Sequence, residues 1–113
     1  VVGEVDGGWE PLTRALNAGR AGAAAELVGV AAGASHLTIE YLKQRKQFGR
    51  LIGEFQALQH RAAHLYSEVE IARAATIKAQ QLLDAGSEQA SLFASVAKAK
   101  VGKAAGLAVR EGV

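Results

Sequence analysis

YLKQRKQFGRLIGEFQALQH, residues 41–60, is the junction between two long helical patterns. Gly49 and Gly53 mark a turn, because glycine adopts backbone conformations that end a helix. The junction also holds four cationic residues, two phenylalanines and four glutamines, more than a plain connector needs. It therefore predicts two things: a reversal of the chain between two helices, and a possible binding surface at that reversal.

The pattern before the junction is helical from residue 9 to about residue 44. Pro11 lies where a first helical turn tolerates proline. Glycines along this pattern weaken the helix and allow a neighbouring helix to approach closely. A break or kink near residues 18–21 is one expectation. Apolar residues recur at mostly three- and four-residue steps and so mark one face: Leu12, Leu16, Ala23, Leu27, Val30, Leu37 and Tyr41.

The pattern after the junction predicts a second helix from about residue 54 to residue 84 and a third from near residue 88. DAGS, residues 84–87, reads as a tight turn between them. The second helix has a regular 3-4-3-4 stripe, typical of the seam of an antiparallel bundle: Phe55, Leu58, Ala62, Leu65, Val69 and Ala72. The third helix has its own apolar set: Leu92, Val96, Val101, Ala104, Ala105 and Ala108.

These elements predict an all-α fold, an up-and-down bundle of three long helices with room for a fourth. Glycine-rich residues 1–8 are expected to be a linker, and residues 9–113 the bundle domain, continuing beyond residue 113. Alanine supplies much of the apolar content; it favours helix and lets helices pack closely. An alanine core buries little area, so we expect additional polypeptide or partner subunits to support it.

Composition argues against several function classes. Thirteen basic and eleven acidic side chains give a net charge of +2, too balanced to indicate nucleic acid or an anionic membrane surface as a partner. The absence of cysteine excludes disulfides and thiol chemistry. No apolar run is expected to reach the roughly 18 to 20 residues of a membrane span. The opening VVGEVDGG does not resemble a signal peptide.

The junction is the first candidate binding site. Arg45 can pair with a phosphate through its fork of donors. Phe48 and Phe55 could enclose a planar ring, and Gln47 and Gln56 could hydrogen-bond its edges. The alternative is a solvated cationic helix end, which opposes the negative C-terminal end of the helix dipole. The residues alone leave both interpretations open.

The histidines are a weaker candidate. His60 and His64 are four residues apart, a spacing that can bind a metal ion. Glu68, one turn further on, is the nearest additional ligand. Hydrogen-bonded, partly exposed histidines are therefore the expected interpretation, and no metal site is predicted. GKAAG, residues 102–106, lacks the spacing of a phosphate-binding loop and lies in a helical pattern.

Three glutamates and one arginine are isolated candidates for a functional role. Glu26, Glu40 and Glu54 could act as general bases, but nothing in the sequence places two carboxylates together in an apolar pocket. Each is expected to face solvent. Arg20 follows NAG at the possible helix break. It could point into a site or cap a surface turn, and the residues favour neither.

Five segments, in order, resemble the C-terminal helical domain of acyl-CoA dehydrogenases. They are VGEVDGGW (2–9), ALNAGR (15–20), AAELVGVA (24–31), YLKQRKQFGRLIGEFQALQHRAA (41–63) and AKAKVGKAA (97–105). The RKQFG…I…FQ pattern is the most specific of these, and the 25-residue step from Arg20 to Arg45 agrees with the family. The resemblance extends over essentially the whole chain.

The resemblance implies a flavoprotein that uses FAD. Its full subunit would have an N-terminal helical domain, a middle β-domain and a four-helix C-terminal domain, assembled as a tetramer or dimer. Arg45 is implied to reach across a subunit interface to the pyrophosphate of the FAD bound by the neighbouring subunit. Lys46 and Gln47 would belong to the same contact segment.

The same resemblance assigns the rest of the cofactor contact. Phe48 and Ile52 are implied to pack near the adenosine half of FAD. Phe55 and Gln56 are implied to close over it. On this interpretation the junction is chemically rich because it forms one side of another subunit's cofactor site.

Residues 17–20 correspond to the family's segment near the acyl thioester of the substrate. The implied substrate-binding residues are Asn17, Ala18, Gly19 and Arg20. In one branch of the family the position before Arg20 carries the catalytic glutamate, and Gly19 has no carboxylate. In the commoner branch the glutamate follows a glycine-rich flavin-binding segment, which would come after Val113. The catalytic base is therefore left unassigned.

The implied reaction is α,β-dehydrogenation of an acyl-CoA to a 2-enoyl-CoA. A carboxylate removes the α-proton while the β-hydrogen leaves as hydride to the flavin. Electrons would then pass to an electron-transfer flavoprotein. Residues 1–113 would supply oligomer packing and parts of two sites, and would be inactive alone. The expected location is the cytoplasm, or the mitochondrial matrix in a eukaryote.

Two alternatives stay open. A non-catalytic partner subunit of the same fold, in a heteromer, would keep the packing and lend half a site. A free-standing helical interaction module would bind no flavin and would use its apolar seam for a partner. Acyl chain length and branching are not readable from these residues.

Overall fold

The computed structural model describes residues 3–112. Three helices make up most of this range, and the all-α prediction is confirmed. A short hairpin and a 3₁₀ turn connect the first two helices. In chain order the elements are α1 (Trp9–Gln44), β1 (Lys46–Gln47), β2 (Arg50–Leu51), the 3₁₀ turn (Ile52–Glu54), α2 (Gln56–Asp84) and α3 (Ala90–Glu111).

The helices run up, down and up, as expected for this bundle. At one end of the bundle, Ser91 near the start of α3 donates a hydrogen bond to Asn17 near the start of α1. At the other end, Arg61 near the start of α2 pairs with Glu111 at the end of α3, with 2.7 Å between Nε and Oε2. Thus α1 and α3 run parallel, and α2 runs antiparallel to both.

Each helix turns a stripe of small residues towards the other two. Apart from the adjacent pair Ala104 and Ala105, the steps within these stripes alternate between three and four residues, as in coiled-coil packing. Because most of the buried residues are alanine, the helices can approach closely. The buried stripes are Asn17, Ala21, Ala24, Val28, Ala31 and Ser35 on α1, Leu65, Val69, Ala72, Thr76 and Ala79 on α2, and Ala90, Ala94, Ala97, Val101, Ala104, Ala105 and Ala108 on α3.

The predicted apolar faces of α1 and α3 are partly wrong. Leu37 is 71% exposed and Leu92 62% exposed, although both were expected on the core side. Other members of the predicted faces are also exposed: Leu12, Leu16, Val30, Tyr41 and Val96. The reason is packing distance, since helices seated on alanine cannot fit these larger side chains between them. Leu65, Val69 and Ala72 of the α2 stripe are buried as predicted.

The helix boundaries differ from prediction in three places. α1 is one continuous helix, so the possible break near residues 18–21 is absent. α2 and α3 each begin about two residues later than expected. The predicted turn after Asp84 is confirmed. Gly86 has a φ of +60°, and the amides of Gly86 and Ser87 donate to Leu83 and Leu82, the Schellman ending of a helix.

Residues 3–8 form turns and bends ahead of α1. Whether they link a preceding domain, and whether a fourth helix completes the bundle, stay predictions. Residues 1, 2 and 113 of the predicted linker and bundle lie outside the described residues.

One helix in the described range could cross a membrane by length and composition alone. An 18-residue window of α1 reaches a mean hydropathy of 1.2, which the sequence analysis had not counted as an apolar run. A single such helix is weak evidence, because the core helix of a soluble protein meets the same criterion.

Candidate functional site

The junction folds into a β-hairpin, which the sequence analysis did not predict. β1 and β2 pair antiparallel, with Lys46 opposite Leu51 and Gln47 opposite Arg50. The amide of Ile52 donates to the carbonyl of Arg45 at 2.9 Å and extends the pairing by one step. We call residues 45–52 the junction hairpin.

Phe48 and Gly49 form the two-residue turn of the junction hairpin. Both have positive φ, +55° and +79°, as a type I′ turn requires. Asparagine or glycine is the usual first residue there, and an aromatic side chain in this conformation costs on the order of 1–3 kcal/mol. Phe48 is also 91% exposed. The turn thus holds a strained aromatic side chain out in solvent.

Phe55 lies behind this turn and is contacted from two sides. The ring of Phe48 meets it edge-on, with 6.1 Å between centroids and 90° between planes. The guanidinium carbon of Arg50 lies 4.0 Å from the Phe55 ring centroid. Both arrangements suit the ring's charge distribution, which is negative on the face and positive at the edge. The two phenylalanines and one arginine therefore form a single cluster.

The junction hairpin is anchored to the helices on either side. The amide of Arg45 donates to Tyr41 at the end of α1. Gln59 Nε2 donates to the carbonyl of Gly53 at 2.9 Å. Gly53 also lies against α1 so closely that a Cβ there would come within 2.8 Å of the Leu42 carbonyl oxygen. These contacts fix the hairpin relative to α1 and α2.

The predicted cofactor-binding residues present unused polar groups. Arg45, Lys46, Gln47 and Gln56 are exposed. Within residues 3–112 their side chains form no hydrogen bond or ion pair. Ile52 is half-buried and lines a groove of about 660 Å³ beside Tyr41 and Leu42. The structure thus brings all seven predicted cofactor residues to one end of the bundle.

The predicted substrate residues lie near the other end. Asn17 is 5% exposed and faces α3. Its Oδ1 accepts a hydrogen bond from Arg20 Nη1 at 3.0 Å and another from Ser91 Oγ at 3.5 Å. Ala18 and Gly19 are exposed, and a Cβ at Gly19 would meet nothing within 4 Å. A cavity of about 680 Å³ opens beside Asn17 and Ala18.

The two predicted regions do not converge. Arg20 and Arg45 are separated by 25 residues along α1, which corresponds to roughly 38 Å of helix. No side chain bridges such a distance. One copy of this chain therefore does not bring the two predicted regions together.

The weaker candidates have ordinary surroundings. His60 and His64 are exposed, and no group of three or more metal-ligating side chains occurs in the described range. Glu26 and Glu54 are exposed. A hydrogen bond and charge from Lys43 lower the pKa of Glu40, so this carboxylate is ionised and paired at neutral pH.

Comparison with known proteins identifies the fold's relatives. The family model "Acyl-CoA dehydrogenase, C-terminal domain" matches residues 6–113. This chain belongs to the acyl-CoA dehydrogenase family. It is similar to the mitochondrial short/branched chain specific acyl-CoA dehydrogenase of Bos taurus, with 44% identity over 95% of this chain and 24% of that protein. It is also similar to the CarC subunit of the caffeyl-CoA reductase-Etf complex of Acetobacterium woodii, with 38% identity over 86% of this chain and 25% of that protein.

A solved structure described as an electron transferring flavoprotein of Acidaminococcus fermentans contains a similar chain. The TM-score is 0.92 at 34% identity, over 97% of this chain and 29% of the other. The chain thus spans about a quarter of the length of the curated relatives it matches. The resemblance inferred from the sequence is confirmed at the level of family and domain.

Three residues in or beside the junction hairpin have roles that the sequence did not assign to them. Arg50 contacts Phe55, Gly53 allows the close approach to α1, and Gln59 holds the 3₁₀ turn. The sequence does contain a signal for Arg50, because it directly follows the turn and precedes the aromatic Phe55 by five residues. The other two depend on contacts that residue spacing does not reveal.

Proposed function

We propose that this chain is the C-terminal module of an FAD-dependent acyl-CoA dehydrogenase that converts an acyl-CoA to a 2-enoyl-CoA. In this proposal the junction hairpin forms one side of the FAD site of a neighbouring subunit. The module also contributes oligomer packing and part of an acyl site. By itself it has no catalytic activity.

The main support is the combination of free donors and a displayed aromatic on an anchored hairpin. Arg45 has no partner among the described residues, and Phe48 is held out in a strained turn. A fold gains nothing from such a display, since strain and exposed apolar surface both cost free energy. A bound nucleotide would use both features, because the guanidinium matches a diphosphate and the ring can pack on adenosine.

The donor set of the junction hairpin fits FAD. Arg45 and Lys46 offer positive charge for the diphosphate, and the amides of Gln47 and Gln56 can hydrogen-bond uncharged edges of the nucleotide. FAD, when bound, supplies the hydride-accepting chemistry. The residues of this chain bind and orient it; no carboxylate of the junction hairpin is available to act as a base.

The separation of the two ends of α1 supports contact across subunits. If residues 17–20 border the acyl site of one subunit, then Arg45 is about 38 Å away along the same helix. It would have to contact a different copy of the cofactor. In a closed oligomer, the end of α1 with residues 17–20 can border the acyl site of one subunit while the end with Arg45 contacts the FAD of another.

We further propose an electron-transfer flavoprotein as the redox partner. One relative is named as a subunit of a reductase-Etf complex, and a similar chain occurs in a structure of an electron transferring flavoprotein. A homo-oligomer is the simplest assembly, with the cytoplasm or the mitochondrial matrix as its compartment.

The proposal is tested by the FAD content of the intact protein. Arg45→Ala removes a charge-assisted contact to phosphate and is expected to cost about 1.5–3 kcal/mol of FAD binding. Arg73→Ala is the matched control, because Arg73 pairs with Glu70 on the outer surface of α2. FAD per subunit, measured by absorbance after gel filtration, should fall for Arg45→Ala alone. Equal retention in all three proteins would reject the assignment.

A non-catalytic partner subunit is the second candidate. It is favoured by Gly19, which lacks the carboxylate that one branch of the family has there. Open space surrounds this position, so a larger residue is not sterically excluded. The residues after Val113 in the intact polypeptide distinguish the candidates: a glycine-rich stretch followed by a glutamate supports the enzyme, and their absence supports the partner subunit.

A further inference from the structure

Arg50 is the one cation of the junction hairpin already engaged with another side chain. Its guanidinium carbon lies 4.0 Å from the centroid of the Phe55 ring. Within the described part of the chain it makes no hydrogen bond or ion pair, even with nearby Glu54. The stacking on Phe55 is therefore the interaction that orients the Arg50 side chain.

Phe55 lies where the 3₁₀ turn meets α2. It is the N-cap residue of α2, with φ −78° and ψ 120°, and follows directly on the 3₁₀ turn. Its ring is perpendicular to the Phe48 ring, and the Arg50 guanidinium lies over it. Removal of Arg50 would leave one face of the ring uncovered and free to rotate towards solvent.

The hairpin register fixes Arg50 in place for this contact. Arg50 pairs with Gln47 across the strands, and cross-strand partners project to the same side of a hairpin. The Phe48–Gly49 turn connects the two residues. Arg50, Phe48 and Phe55 thus form one unit, in which the guanidinium lies over the Phe55 ring and the Phe48 ring packs against Phe55.

We infer that Arg50 is a positioning residue for nucleotide binding: it orients Phe55, and through it Phe48, rather than contacting phosphate itself. This inference rests on the proposed FAD site and adds a role for a residue outside the predicted contact set. It makes Arg45 and Arg50 functionally distinct, although both are exposed arginines of the same hairpin.

A double-mutant cycle on the intact protein separates positioning from direct contact. FAD dissociation constants are measured by flavin fluorescence for the wild type, Arg50→Gln, Phe55→Leu and the double variant. Arg50→Gln is expected to weaken binding about two- to fivefold, the range for an exposed cation–π contact. The same substitution should have no further effect once Phe55 is leucine, because the coupling lies entirely in that pair.

Variants that keep or remove the aromatic ring at position 55 show whether the effect of Arg50→Gln depends on that ring. In Phe55→Tyr the two- to fivefold effect of Arg50→Gln should persist. Phe55→Met replaces Phe55→Leu if the latter does not fold. Arg73→Gln is the control for loss of an exposed arginine on the adjoining helix and should leave FAD affinity unchanged. An Arg50→Gln effect of equal size in the ringless background would indicate direct phosphate contact and overturn the inference, as would no effect at all.

Arg45→Ala, measured in parallel, keeps this test separate from that of the proposed function. If Arg45→Ala and Arg50→Gln both leave FAD binding intact, the FAD site itself is misplaced. If only Arg45→Ala weakens binding, the FAD site stands and the positioning role of Arg50 is wrong.

Discussion

Phe48 occupies a backbone conformation that an aromatic residue rarely adopts. Its φ of +55° and its 91% exposure both cost stability. The neighbouring contacts of Phe55 and Arg50 offset part of that cost. A ligand-facing role is the explanation we propose for this conformation.

Gly53 is the residue where the close approach of hairpin and helix can be tested. In Gly53→Ala the new Cβ would lie 2.8 Å from the Leu42 carbonyl oxygen, a backbone atom that cannot turn aside. The expected loss is about 1–3 kcal/mol of unfolding free energy, as for other overpacked positions. Chemical denaturation of the intact protein measures it.

Gly102→Ala is the matched control for that substitution. A Cβ at Gly102 meets nothing within 4 Å, and alanine is the better helix former. This variant should not lose stability. A Gly53→Ala protein as stable as Gly102→Ala would show that the hairpin is not seated on α1 as described.

At the residue scale, the sequence points to candidate residues where a residue type has one dominant chemistry. Arg45 and Phe48 were selected because a guanidinium and an aromatic ring suit a nucleotide, and the structure leaves both available. Whether they bind one stays a prediction. Gly53 was expected at the turn, but its close approach to α1 and the hydrogen bond of Gln59 were not predicted, because both depend on distances between elements.

At the scale of the elements, α1 contains two overlapping periodic patterns. One consists of large apolar residues such as Leu37 and Tyr41, and the other of small ones such as Ala24 and Ala31. Hydrophobicity favoured the first, but the second is the packed face. Serine and asparagine in the second pattern hid it further, although Ser35 satisfies its hydroxyl by donating to the Ala31 carbonyl. In α2 the most hydrophobic face is also the packed face, and Leu65, Val69 and Ala72 are buried as predicted.

The α2–α3 contact includes an ion pair that makes stability depend on pH. Lys100 Nζ donates to Glu68 Oε2 at 2.7 Å. This hydrogen bond, with smaller contributions from the charges of Lys100, His64 and Lys103, lowers the pKa of the Glu68 carboxyl. A lowered folded-state pKa means that stabilisation is complete above the unfolded pKa of about 4.3 and is lost as pH falls through the folded value.

Glu68→Gln should therefore flatten the pH dependence on the acid side. Denaturation midpoints recorded between about pH 2.5 and pH 6 are expected to fall more steeply for the wild type than for Glu68→Gln. Glu70→Gln on the same helix, which breaks only an intrahelical pair with Arg73, should keep the wild-type slope. Identical slopes in all three proteins would refute the role of the Glu68–Lys100 pair.

The molecule as a whole is elongated. Its extents are 71 × 23 × 16 Å and its radius of gyration is 18.8 Å, against about 13 Å for a compact domain of this length. Its accessible surface is 7686 Å², against roughly 5,900 Å² expected for a compact monomer of this mass. Large apolar side chains lie on that surface, so these three helices leave much apolar area exposed to solvent.

Residues 1–113 expressed alone are accordingly expected to be poorly folded or self-associated. Among residues 3–112, Leu65 and Val101 are the only large side chains that are fully buried, too few to offset the entropy of three ordered helices. A broad thermal transition by circular dichroism and strong binding of a hydrophobic dye are the expected results. A cooperative transition with a monomeric mass would instead favour the free-standing interaction module.

Residues 17–20 and Arg45 lie roughly 38 Å apart along α1, and the proposed assembly assigns them to the sites of two different subunits. The most direct test is an experimental structure of the intact protein with FAD bound. We expect the Arg45 guanidinium within about 3 Å of a diphosphate oxygen of an FAD held by the adjacent subunit. An Arg45 side chain pointing into solvent, or contacting the FAD of its own subunit, would contradict the account.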